Sequence, residues 1–195
     1  RLVSTGVRRK GLTFALFVVV LSHLVFGMVL HGEPIRIGAS VSLSGPYAET
    51  SAMVRDGVRL WAKQVNERGG MLGRPVELVL EDDRSSPEEV RRIYSGFTQS
   101  DEVDLLLSPY GTPLTLVAAE IAHDAGMVMM VVAASGEETW NRGYQGIFGV
   151  YALADRYFVG LLDLTARQGM ERIAIIREDS SFHHTVRDGV VSWAP

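Results

Sequence analysis

At 195 residues, with 47% hydrophobic and 22% charged residues, the chain can bury one sizeable core, or one domain and part of another, and it is not a disordered tail. Its formal charge of −4 is unevenly placed: residues 1–32 hold Arg1, Arg8, Arg9 and Lys10 and no acid, so 15 of the 19 basic residues face 23 acidic ones in the remainder, a net of −8. An acidic body without a basic stripe argues against a nucleic-acid partner, and the absence of cysteine excludes disulfides and thiolate metal sites.

Arg8, Arg9 and Lys10 precede an uncharged, mostly apolar stretch from Gly11 to Leu30, which reads as a secretory leader over residues 1–32. Cleavage after Gly27 or Gly32 would release a periplasmic protein. The run is nearly long enough to span a bilayer, so an uncleaved anchor over residues 11–30 is the alternative. The chain starts without Met and stops at Pro195 soon after an expected strand, so both ends are read as truncated.

Beyond the leader, Ile35, Ile37, Ala39, Val41 and Leu43 predict a first strand, turned at its end by Ser44-Gly45-Pro46-Tyr47. Val54, Val58, Trp61 and Val65 at helical spacing predict a helix that stops at Gly69-Gly70. Pro75 to Leu80 is a second strand, and Ser86-Pro87-Glu88-Glu89 forms a capping box leading into Val90, Ile93, Tyr94 and Phe97. Leu105 to Leu107 is too short an apolar run for a helix and reads as a third strand. Thr112 then suits an N-cap and Pro113 a first helical position, with Leu114, Val117, Ala118, Ile121, Ala122 and Ala125 on one face and Gly126 as the stop. A fourth strand follows, then a polar loop at Gly136 to Gln145. Ile147 to Tyr151 is a fifth strand, Asp155 to Gln168 a helix, and Ile173 to Ile176 a sixth strand. Strands alternating with single helices predict an α/β fold, a parallel sheet with helices on both faces. The division is residues 33–150 as one lobe and residues 151–195 as the incomplete start of a second, the passage lying near the long polar loop.

Several chemistries find no support. There is no nucleotide fingerprint and no hydrolase elbow. Glu81-Asp82-Asp83 could hold Mg²⁺, but a solvated strand end beside a helix N-terminus is the simpler reading, and adjacent His183 and His184 read as surface residues without a third metal ligand. What remains is a set of short hydroxyl residues and glycines at three strand ends: Ser44 and Gly45, Tyr110 to Thr112, and Ala133 to Gly136. Such residues are good turn formers, which alone explains about half of such cases. Three ends in successive units would converge on one edge of a parallel sheet, around a small polar ligand.

At these residues the chain resembles the type I periplasmic binding proteins, in the leucine/isoleucine/valine-binding branch that serves ABC transporters. The resemblance covers Ile35 to about Val190 and rests on IRIGASVSLSGPYAE, VNERGGMLGRPVEL, LEDDRSSPEE, the segment around Thr112, NRGYQGIF and ERIAIIRED in this order and spacing. It implies that Thr112, Ala133 and Ser135 grip the α-carboxylate and ammonium of an amino acid, and that Phe182 covers the ligand where the family commonly has Tyr followed by Gly. His183 replaces that Gly, and Gly149 stands where Arg is usual, which leaves the ligand's identity open. The implied protein is a periplasmic monomer without cofactor that performs no chemistry and delivers an amino acid or similar small polar solute to a membrane permease. The rival is a ligand-sensing domain of a membrane-anchored receptor. A third class, an exported α/β enzyme, has only hydroxyls and Asp82 or Asp83 in its favour.

Overall fold

The computed structural model describes residues 32–194; the leader segment lies outside the described residues. Five parallel strands form one sheet in the order β2-β1-β3-β4-β5, with β1 at Ile35–Val41, β2 at Val76–Asp82, β3 at Leu105–Leu107, β4 at Met129–Val131 and β5 at Ile147–Gly149. The expected α/β class and parallel sheet are therefore found. From β1 the chain goes first to β2 on one side and then to β3 on the other, so a switch point lies between β1 and β3. Ligands of open parallel sheets bind outside the strands' carboxyl ends at such a point.

Between the strands run α1 (Ala48–Glu67), α2 (Pro87–Gln99), α3 (Thr112–Asp124) and the short α4 (Glu138–Asn141). Alternation along β1 assigns the faces. Ile35 and Ile37 pack with Ala62 of α1 in one core cluster, whereas a Cβ at Gly38 would stand 3.0 Å from Phe97 of α2. The larger cluster joins Val90, Ile93, Tyr94 and Phe97 of α2 to Leu114, Ala118 and Ala122 of α3 over Leu106 and Met129, so the apolar face predicted for α2 is buried throughout. Ser86 caps α2 as its motif predicts, accepting from the Glu89 N–H at 3.4 Å.

Tyr94 is fully buried, donates its hydroxyl to the Leu107 carbonyl and accepts weakly from the Ser40 N–H. Burial pushes its phenol well above the usual range. The neutral form is thus favoured in the fold, and its contribution is fully present below pH ~10, the unfolded value, and is lost as pH rises beyond it. In alkaline denaturation, wild-type stability is expected to fall above that pH more steeply than that of Tyr94→Phe, by up to about 1.4 kcal/mol per pH unit. Equal slopes would count against a neutral buried phenol.

Beyond β5 the structure departs from expectation. Residues 154–156 form a 3-10 turn and α5 (Val159–Arg167) follows, in place of one helix from Asp155 to Gln168. No strand forms at Ile173 to Ile176. Residues 171–178 carry no regular structure, and Ile176 is 99% exposed. An apolar β-branched run has strand propensity, but a strand exists only where a ladder partner is present, and none of the described strands lies beside this one. The chain then enters α6 (Ser181–Trp193), with Ser180 as its N-cap. His183 and His184 lie on this helix half-buried, not as free surface residues: His183 Nδ1 is 2.8 Å from Ser180 Oγ, and His184 Nε2 is 2.7 Å from Asp179.

Within the acidic trio, Glu81 is partly exposed beside Arg92 and Asp82 is partly exposed, but Asp83 is not solvated. Asp83 is fully buried and accepts from Ser40 Oγ at 2.6 Å, Ser42 Oγ at 2.5 Å and the Ser85 N–H at 2.9 Å. Asp82 takes the N–H groups of Leu43 and Arg84, both at 2.9 Å, and these hydrogen bonds, led by that from Leu43, hold its carboxyl below the usual range. The two aspartates clasp the loop after β1 to the loop after β2. Among the described residues no group of carboxylates and imidazoles could hold a metal.

Candidate functional site

A cavity of about 420 Å³ opens at the carboxyl ends of the strands. The loop after β1 supplies Tyr47, the loop after β3 supplies Tyr110 to Pro113, and the loop after β4 supplies Ala133 to Ser135. Tyr151, Tyr157 and the start of α6 with Phe182 and His183 face them. Five of the six candidate residues, Tyr110, Thr112, Ala133, Ser135 and Phe182, line this one space. Ser44 does not; it is exposed, and its carbonyl accepts from Ser85 Oγ at 2.7 Å. A second cavity of similar size lies under α5 and α6, but its lining is mostly aliphatic and lacks the convergent hydroxyls of the first.

The cavity floor is fixed by backbone-directed bonds. Ser108 Oγ, at the end of β3, accepts from the Val132 N–H at 3.1 Å, and the Gly111 N–H donates to the Ala133 carbonyl at 2.9 Å, so the loops after β3 and β4 are tied to each other. Thr115 Oγ1 holds the Pro109 carbonyl at 3.1 Å. Thr112 is not the helix cap that its place before Pro113 predicts. Gly111, at φ 84°, is the N-cap and Thr112 is the first helical residue, because its hydroxyl has a tertiary partner: Oγ1 accepts from the Gly136 N–H at 3.1 Å. Gly136 is required for that approach, since a Cβ there would lie 2.4 Å from Thr112 Cγ2.

Ser135, 4% exposed, has an equivalent arrangement, its Oγ accepting from the Tyr157 hydroxyl at 2.8 Å. Both hydroxyl oxygens thus accept from protein donors, and a hydroxyl that accepts still has its own O–H to donate. By helix geometry the first N–H groups of α3 also lack intrahelical partners and carry partial positive charge. Two buried O–H donors and a helix N-terminus around one space suit a group that only accepts, such as a carboxylate. Ring side chains form the walls: Tyr47 and Tyr110 are tilted at 59° with centroids 5.7 Å apart, and Tyr157 meets Phe182 edge-on at 6.1 Å.

Sequence reasoning missed Tyr47, Tyr151, Tyr157 and His183 as lining residues. Tyr47 had a signal, since it ends the turn after the first strand. Tyr157 had none, because its segment reads as the start of an amphipathic helix.

An α/β domain with a polar-floored cavity at the switch point of a parallel sheet has the architecture in which open sheets hold small ligands. Residues 34–195 match the family described as periplasmic binding protein, and the chain belongs to that family. It is 28% identical over 141 residues to the leucine-, isoleucine-, valine-, threonine- and alanine-binding protein of Pseudomonas aeruginosa, covering 68% of this chain and 38% of that one. It is 24% identical over 172 residues to the Leu/Ile/Val-binding protein of Escherichia coli K12, covering 86% of this chain and 47% of that one. Among solved structures, the ABC transporter substrate-binding protein from Desulfitobacterium hafniense in complex with Leu matches with a TM-score of 0.72 at 26% identity, over 84% of this chain and 47% of that one. The chain therefore spans less than half the length of these relatives, each of which is described as a binding protein.

Proposed function

We propose that the chain is the first lobe and the opening of the second lobe of an extracytoplasmic solute-binding protein that closes on an amino acid, or a similar small carboxylate, and hands it to the permease of an ABC transporter. Residues 33–150 are the first lobe and residues 151–195 the start of the second. The protein acts as a periplasmic monomer without a cofactor and performs no chemistry, and the leader of residues 1–32 directs its export. The observation that carries this reading is the pair of buried hydroxyls, Thr112 and Ser135, each accepting from the protein and each left with an O–H to donate beside the N-terminus of α3. Similarity to amino-acid-binding proteins, and to a solved ABC transporter substrate-binding protein in complex with Leu, favours a delivery role over the receptor alternative.

Calorimetric titration of the complete protein with L-leucine, L-isoleucine, L-valine and L-phenylalanine tests the reading. At least one is expected to bind in the micromolar range or tighter, and failure of all four together with simple carboxylic acids would overturn it. Residues 33–195 by themselves are expected to bind these solutes weakly or not at all. A solute gripped by one lobe loses roughly half of its contacts and the lid that excludes water, and each tenfold in affinity is only ~1.4 kcal/mol. Micromolar binding by that piece would count against closure between two lobes.

A further inference from the structure

The loop joining β2 to α2 is strained in a way that turn formation does not require. Arg84 and Ser85 both adopt left-handed backbone, at φ 52° and 59°, and neither is glycine or asparagine. Consecutive residues of this kind persist only where their surroundings hold them. Here the holder is Asp83, fully buried, whose carboxylate accepts the Ser85 N–H at 2.9 Å while two serines of β1 and its end fix the carboxylate itself. The left-handed turn throws the Ser85 hydroxyl across to the loop after β1. There it donates to the Ser44 carbonyl at 2.7 Å and accepts from the Tyr47 N–H at 3.1 Å. Gly45, at φ 82°, makes room, since a Cβ on it would stand 2.8 Å from Ser85 Cβ. Tyr47 is the residue through which this loop reaches the cavity, with its ring against Tyr110.

We propose that Ser85 is a positioning residue for the cavity: it touches no solute, but its hydroxyl, aimed by the Asp83 carboxylate, sets the backbone from which Tyr47 forms one wall. The inference rests on the solute-binding reading of this cavity and adds to it a residue outside the lining. It also accounts for the strain, because a relaxed β-region backbone at Ser85 would turn the hydroxyl away from Tyr47.

The test compares two variants of the complete protein that lose the same hydroxyl with opposite backbone consequences. Ser85→Ala keeps the left-handed strain, and Ser85→Gly relieves it. Both are expected to weaken L-leucine binding by a similar factor, about three- to tenfold, the loss of one or two neutral hydrogen bonds. Both are also expected to speed amide hydrogen exchange at Tyr47, while their melting temperatures separate. In a Tyr47→Ala background neither should weaken binding further, since the wall they position is gone. Affinities that follow the melting temperatures of the two variants, or unchanged exchange at Tyr47, would overturn the positioning role. Normal wild-type binding with unaltered variants overturns it alone, whereas a wild-type protein that takes no L-leucine, amino acid or carboxylate overturns the solute-binding reading and this role with it.

Discussion

Asp83→Ala is expected to lower stability by about 3–5 kcal/mol, enough to shift the melting temperature of a chain this size by roughly 6–20 °C. The carboxylate is fully buried and accepts two hydroxyls and one backbone N–H. Removing it leaves a void and strands the Ser85 N–H, while Ser40 and Ser42, themselves 2% and 0% exposed, lose the acceptor their hydroxyls point at. It also releases the two left-handed residues whose conformation it holds. Asp83→Asn keeps the volume and one acceptor, and a serine hydroxyl can rotate to accept from the new amide, so its cost should be about 1–2 kcal/mol. Chemical denaturation of both variants checks the pair. Equal, small losses would mean that the carboxylate is not the holder of these loops, and Asp82→Ala, at a far more exposed position, should cost much less.

The burial of Asp83 marks the limit of what could be read in advance. Strands β1 to β5 and helices α1 to α3 were legible because each depends on local pattern: period-two or short apolar runs, helical spacing on one face, a capping box, glycine stops. A run of three acids next to a loop has no local pattern that tells a solvated end from a buried clasp. That difference is made by Ser40 and Ser42, more than 40 positions earlier in the chain. Ile173 to Ile176 failed for the same reason in reverse, since its residues favour a strand but pairing is decided by what lies beside them. Within the site, the strand ends converged as expected because topology alone brings them to one edge. The roles of individual hydroxyls did not follow. Ser44 turns its carbonyl to Ser85, and Thr112 gives its lone pair to Gly136 rather than to its own helix.

That last difference changes how the site should be probed. In the complete protein, Ser135→Ala is expected to weaken amino-acid binding by about ten- to a hundredfold, the loss of one hydrogen bond to a charged group at 1.5–3 kcal/mol. The fold should hardly notice, because the displaced partner is the Tyr157 hydroxyl, on a residue 46% exposed that water can satisfy. Thr112→Ala should weaken binding by a similar factor, but through a different structural loss. It removes no cap, since Gly111 holds that position. Instead it leaves the Gly136 N–H buried without a partner, which costs about 1–3 kcal/mol of stability. Thr112→Ser separates the two effects: it retains the hydroxyl for both Gly136 and the ligand, and should bind within about threefold of wild type while losing only the methyl contact. Titrations performed well below each variant's melting transition decide the matter. Wild-type affinity in Ser135→Ala and Thr112→Ala would place the carboxylate elsewhere in the cavity, and loss of affinity in Thr112→Ser would show that the methyl group, not the hydroxyl, is what the site uses.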